Sequence, residues 1–141
     1  MPVKPVLNQI EVNPWYQQDA EVKFAQSQDV RVEAWAPFAE GKHDIFKNET
    51  IAEIAAKYGK SNGQVILRWL LQRGITVIPK SVHQKRMAEN IDVFDFELTD
   101  DDMKKMASLD KNESQFFDHR DPVTIEQIFG SSLQQVKDSE K

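Results

Sequence analysis

The chain has 141 residues, a net charge of −5 and no cysteine, which suits one domain and excludes disulfides and thiolate metal sites. Its acidic balance argues against nucleic acid as the main ligand, and no apolar run is long enough to span a bilayer, so no membrane role is expected. With no secretory signal at its start and no cysteine, a cytoplasmic protein is expected.

Val6 to Val12 reads as a first strand, ended by Asn13-Pro14. Alternation puts Val6, Asn8, Ile10 and Val12 on one face and Leu7, Gln9 and Glu11 on the other. Trp15, Tyr16 and Gln17 form a turn. Asp19 is placed to cap a short helix to about Ser27, with Val22, Phe24 and Ala25 as its apolar members. Val30 to Ala36 reads as the second strand, ended by Pro37. Its even positions are small and apolar, and its odd positions are Arg31, Glu33 and Trp35. A sandwich strand facing water has this pattern. So does a strand whose polar face lies inside a barrel, beneath a site. In the second case Glu11, Arg31 and Glu33 are expected to form an interior ion-pair layer.

Phe38 to Lys47 is a loop containing Gly41. Asn48 caps a helix over Glu49 to Tyr58, apolar at Ile51, Ile54, Ala55 and Tyr58, and Gly59 ends it. Ser61 with Gln64 forms a capping box for the next helix, which runs to about Arg73. That helix is apolar over a wide arc, as expected between a sheet and neighbouring helices. Gly74 ends it. Ile75 to Ile78 is a third, β-branched strand, stopped by Pro79. Lys80 and Ser81 follow at once, then a short helical pattern with Arg86, Glu89 and Asn90. A cation at a strand's carboxyl end with a second on the following helix makes an anion clamp, because helix N-termini favour phosphate and Arg adds a planar fork. A plain strand, turn and charged helix face also accounts for these residues.

Thr99 with Asp102 is another capping signal, and Met103, Met106 and Leu109 give its helix an apolar stripe that fills core. From Lys111 the pattern weakens. Val123 to Phe129 reads as one or two helical turns, and Gln134 to Lys141 as a frayed polar end. Residues 1–110 therefore read as the domain and 111–141 as a C-terminal loop and tail. His43, His83 and His119 have no metal-ligand spacing and read as surface residues. Strands alternating with helices imply a parallel α/β sheet with right-handed crossovers. A doubly wound sheet and a (β/α) barrel both fit. Neither a GxGxxG nor a Walker loop supports the first.

Six segments, in order, carry a family resemblance. They are Asn8-Gln-Ile-Glu11 with Asn13-Pro14, Glu33-Ala-Trp-Ala-Pro37, Ile51-Ala-Glu-Ile-Ala-Ala-Lys-Tyr-Gly59, Leu67-Arg-Trp-Leu-Leu-Gln-Arg-Gly74, Ile78-Pro-Lys-Ser81 and Asn90-Ile-Asp-Val-Phe-Asp-Phe96. They resemble the carboxyl-terminal part of an aldo-keto reductase, nearest the 2,5-diketo-gluconate reductase-like branch. The resemblance covers most of residues 5 to 110. It implies about three βα units of a (β/α)8 TIM barrel with NADPH extended across its carboxyl-terminal face. Carried over by position, Gln9 would hold the nicotinamide carboxamide and Trp35 would stack on its ring. Pro37, Phe38, Glu40 and Gly41 would follow the pyrophosphate. Lys80, Ser81, Val82 and Arg86 would meet the adenosine 2′-phosphate and adenine, and Glu89 and Asn90 the adenine amino edge. One departure stands out. The family loop often has Gly after the aromatic and again near the pyrophosphate, where this chain has Ala36 and Ala39-Glu40.

The family's catalytic Asp, Tyr, Lys and His come from the first half of its barrel, so the resemblance assigns no catalytic residue here. Tyr58 and Tyr16 are the only tyrosines. The first is expected to be packed, and the second matches a loop aromatic that is no proton donor. Two functions remain open: part of an NADPH-dependent reductase of small aldehydes or ketones, inactive alone, or a non-enzymatic half-barrel module for binding or assembly. Either implies a complementing first half or self-association. A carbonyl substrate is expected only in a complete barrel.

Overall fold

The computed structural model describes residues 3–118 and 120–139, with side chains to residue 130. Three parallel strands, β1 (Leu7–Glu11), β2 (Arg31–Trp35) and β3 (Ile75–Val77), form one sheet in the order β1-β2-β3. Helix α1 (Asp19–Ser27) connects β1 to β2. An irregular segment with 3-10 turns (Ala39–Lys47), non-helical from Glu40 to Asp44, then α2 (Glu49–Tyr58) and α3 (Asn62–Gln72) connect β2 to β3. Helices α4 (Gln84–Ile91), α5 (Asp100–Ala107) and α6 (Pro122–Ser139) follow.

Strand parity is as the alternation implies. Val32 and Ala34 of β2 are fully buried against the helical layer with Val22, Val65, Ile66, Trp69 and Ile75. The opposite face carries Gln9, Glu33 and Thr76 in one lateral row, because the register aligns Gln9 with Glu33 and Glu33 with Thr76. Paired residues of parallel strands point to the same side. The interior ion-pair layer does not form. Gln9 Nε2 donates to Glu33 Oε1 at 2.7 Å, Glu11 accepts from Asn13 Nδ2 and Gln115 N, and Arg31 is exposed. Among the described residues no ion pair joins Arg31 to either carboxylate. The amide of Gln9 reaches Glu33 first, from the adjacent strand.

The caps hold. Asn48 Oδ1 accepts from Ile51 N at 3.1 Å, and the Ser61/Gln64 and Thr99/Asp102 boxes are both closed. Gly59 and Gly74 end α2 and α3 at φ of 64° and 71°, where a side chain is strained. Helix α1 departs from the expectation. Asp19 is its first helical residue, and Gln18 precedes it in a left-handed conformation without a side-chain cap. Phe24 is 69% exposed rather than buried. Met106 is fully buried and Met103 partly so, as core filling requires. Helix α6 is longer than the one or two turns expected, and its backbone runs through most of the segment read as frayed. His43 and His83 are exposed, while His119 and the last two residues lie outside the described residues.

Asp102 ties α5 to α2. Its carboxylate is 2% exposed and accepts from Lys57 Nζ (3.0 and 3.2 Å), Thr99 N (3.0 Å) and the Tyr58 hydroxyl. Burial pushes its pKa up, but the hydrogen bonds from Tyr58, Lys57 and Thr99 outweigh this and hold it far below the usual carboxylate range. Truncation leaves the Tyr58 hydroxyl and Thr99 N–H unsatisfied and removes a cap. Asp102→Ala is therefore expected to cost about 3 kcal/mol locally. Hydrogen exchange would read this as a roughly hundredfold loss of protection in α5. Because the folded-state value is depressed, the carboxylate's contribution is complete above the unfolded-state pKa and fades as pH falls toward the folded one. The gap between the parent and Asp102→Asn should narrow below about pH 4.

Among the described residues both outer strands keep an open edge, and each edge borders a largely apolar groove. Beside β1 a groove of about 530 Å³ is lined by Pro5, Leu7, Phe24, Ala25 and Val30. Beside β3 a groove of about 650 Å³ is lined by Leu71, Ile75, Val77, Met87, Ile91 and Phe94. Ile91 and Phe94 are more than 70% exposed, so this surface is core without its other side.

Candidate cofactor site

The carboxyl ends of the strands open onto two separate depressions. The first, about 270 Å³, is lined by Phe38, Phe46, Ser61, Asn62, Gly63, Lys80, Ser81, Arg86, Glu89 and Asn90. It brings together five of the residues singled out after β3, with Phe38 from the end of β2. β3 ends at Val77, and after Pro79 the chain turns and brings Lys80 and Ser81 into the same depression as Arg86, Glu89 and Asn90 of α4. Ser81 Oγ accepts from His83 N at 3.2 Å and fixes that turn. His83 gives α4 no side-chain cap, so the first N–H groups of the helix are left for a ligand. Among the described residues neither Lys80 nor Arg86 makes an ion pair, whereas Glu89 stands 4.0 Å from Lys85. Two uncommitted cations beside an uncapped helix start suit a phosphate group.

Four lining residues escaped the sequence reading: Phe46, Ser61, Asn62 and Gly63. The capping box at Ser61 was visible as a helix start. That this start is also a pocket wall depends on the fold. Phe46 packs on Phe38 with ring centroids 5.3 Å apart.

The second depression, also about 270 Å³, contains Gln9 and Trp35 with Ile10, Glu11, Tyr16, Gln18, Glu21 and Arg120. Gln9 Nε2 donates one N–H to Glu33, which leaves its second N–H and its carbonyl oxygen for a ligand. Trp35 stands one register step further along, opposite Glu11.

Pro37, Glu40, Gly41 and Val82 line neither depression. Pro37 is buried, and Val82 is 79% exposed. Glu40 and Gly41 lie in a loop with repeated left-handed backbone. The φ values are 49° at Ala36, 46° at Ala39, 51° at Glu40, 79° at Gly41, 54° at His43 and 50° at Asp44. Positions where the family often carries Gly are among them, and this chain keeps the conformation with alanine and glutamate. Each such residue costs about 1–2 kcal/mol. Turns from Ala36 O to Ala39 N (2.9 Å) and Phe38 O to Gly41 N (2.8 Å) hold the loop.

Acid–base residue types do meet elsewhere. Tyr58, Lys57 and Asp102 form the α2–α5 contact, but none of them lines either depression. The Tyr58 hydroxyl donates into Asp102 and its ring packs on Phe96, so the cluster holds helices together. Tyr16 does line the second depression, and among the described residues no lysine lines it.

The comparisons with known proteins match this arrangement. The model of the aldo/keto reductase family matches residues 1–111. Glyoxal reductase of Bacillus subtilis is 43% identical over 111 residues, which are 79% of this chain and 40% of the relative. The crystal structure of a Gox0644 mutant in complex with NADPH is similar at TM-score 0.76 and 43% identity, over 80% of this chain and 41% of that one. An aldo-keto reductase of Bombyx mori in complex with NADP is similar at TM-score 0.78 and 36% identity, over 88% and 42%. The chain thus spans about two fifths of the length of the relatives it matches. Its three βα units are part of a (β/α)8 barrel, and the chain belongs to the aldo/keto reductase family.

Proposed function

We propose that this chain is the NADP(H)-binding, carboxyl-terminal part of an NADPH-dependent carbonyl reductase. The observation that carries the reading is the first depression, with Lys80 and Arg86 uncommitted at the start of α4. Those two would hold the 2′-phosphate, and Arg86, Glu89 and Asn90 the adenine. Gln9 would accept from the carboxamide N–H, and Trp35 would stack on the nicotinamide. The Phe38–Gly41 loop would pass along the diphosphate between the two depressions. Bound NADPH supplies a hydride for a small aldehyde or ketone. Reduction also needs an acid at the carbonyl oxygen. No residue is assigned that role, so the substrate pocket and its acid would come from a polypeptide carrying the other five βα units, in the same chain or another.

NADPH titrated into this chain, alone and with such a polypeptide, tests the reading. Binding in the presence of the complement supports it. No binding in either case overturns it.

The open edges support a requirement for completion. Three parallel strands cannot close a barrel, and unpaired edges beside apolar grooves template association. Alone, the chain is expected to self-associate, swap elements or lose order at the β1 and β3 edges. In sedimentation it should run as dimers or larger species, collapsing to a 1:1 complex once complemented. A compact monomer with cooperative unfolding would contradict this. The same grooves are what favours a non-enzymatic assembly module, and NADPH binding separates the two readings.

A further inference from the structure

The chain beyond α5 returns to the sheet and crosses the carboxyl ends of β1 and β2. Asp110 Oδ1 accepts from Gln17 N at 3.2 Å, and Lys111 N donates to Trp15 O at 2.9 Å. Glu11 then anchors the return. It is a carboxylate 1% exposed at the end of β1, and it accepts from Gln115 N (2.9 Å), Asn13 Nδ2 (3.1 Å) and the Ser114 hydroxyl. Ser114 Oγ accepts in turn from the N–H groups of Phe116 (3.1 Å) and Phe117 (3.2 Å). That turn delivers Phe116 onto Trp35, with centroids 4.9 Å apart and planes tilted by 50°. Lys42, from the left-handed loop, closes the arrangement. Its ammonium donates to Gln115 O at 2.8 Å and lies 3.9 Å from the Phe116 ring centre.

We propose that Phe116 is a positioning residue for the nicotinamide end of the site, held by a strap over residues 114–117 that Glu11 anchors and Lys42 clasps. The proposal rests on the NADP(H) reading above. Trp35 is half-buried on the face of the sheet that carries Gln9 and Glu33. A tilted aromatic neighbour fixes its plane. A stacking surface set before the ligand arrives spares the cost of ordering it on binding. The cation over the Phe116 ring holds that ring in turn. Because Lys42 belongs to the loop that would follow the diphosphate, the strap and that loop are ordered together.

The test uses the full chain and two ligands. NADPH reaches both depressions, whereas adenosine 2′,5′-bisphosphate reaches only the first. Phe116→Ala should weaken NADPH about three- to tenfold and reduce energy transfer from tryptophan to the bound reduced nicotinamide. It should leave the bisphosphate unchanged, and Phe116→Tyr should restore both NADPH signals. Lys42→Met should act in the same direction, and combining it with Phe116→Ala should add little. Unchanged NADPH affinity in Phe116→Ala, or equal weakening of both ligands, would overturn the positioning role. Failure of the bisphosphate to bind the parent chain both alone and complemented would instead remove the dinucleotide reading, and this inference with it.

Discussion

The purified chain, supplied with NADPH and a small aldehyde, is expected to show no aldehyde-dependent NADPH oxidation even where the dinucleotide binds. The reason is positional. A hydride donor seated against Trp35 and Gln9 would meet a depression that, among the described residues, no lysine lines. The one tyrosine that lines it is Tyr16. The other, Tyr58, has its proton directed into Asp102 on the helical layer. Loss of general acid catalysis alone costs about 10²–10⁴-fold. The open inner face adds to this, because substrate orientation and water exclusion both depend on the missing walls. Adding a polypeptide with the other five βα units, and with the family's Asp, Tyr, Lys and His, should restore turnover. Replacing that tyrosine with phenylalanine should abolish the recovery. Robust turnover by the chain alone, surviving both Tyr16→Phe and Tyr58→Phe, would show that this chain carries an acid other than its tyrosines and is no mere cofactor-binding part.

The parts of this fold that were legible before any coordinates are those fixed by local chemistry. Asn48, Ser61 with Gln64, and Thr99 with Asp102 satisfy orphan helix N–H groups within three residues, so sequence spacing suffices to find them. The faces of β1 and β2 were readable for a similar reason, since a period of two leaves one assignment once Val32 and Ala34 are placed inward. What was not legible depends on who the neighbour is. Phe24 fits the apolar stripe of α1, yet it projects beside the open β1 edge, where the rest of a barrel would cover it. Arg31 and Glu33 alternate as an ion-pair layer would, but register puts Gln9 against Glu33. Phe46 and Gly63 line the first depression only because α3 begins beside the end of β3. The strap at Ser114–Phe117 has no periodicity at all. It is ordered by a buried carboxylate 103 positions away in sequence, a pairing no local rule contains. The family resemblance carried residues by position rather than by pattern, and five of those it placed after β3 line one depression.

A preference for NADP over NAD is the remaining large effect, and it should reside mainly in Arg86. The two dinucleotides differ only in the 2′-phosphate. In the first depression that group would meet Lys80, Arg86 and the uncapped start of α4. Glu89 lines the same depression, so an unphosphorylated ribose gains nothing from the two cations that water would not supply, while a phosphate neutralises them. Arg86 has the better geometry of the two, because its fork makes two parallel bonds to a phosphate where lysine offers a point charge. Lys80→Ala should therefore cost less than Arg86→Ala. In the complemented protein, Arg86→Ala should reduce NADP affinity by about 10- to 100-fold, the range of one charge-assisted phosphate contact, and reduce NAD affinity much less, by the adenine contact alone. Arg86→Lys should fall between them. The preference should also shrink as salt is raised, because the site is open to solvent and screening reaches it. Calorimetry with both dinucleotides at one fixed salt concentration measures the difference directly. Equal affinities in the unmutated protein would mean that the two cations serve another ligand, and the adenosine end of the site would have to be reassigned.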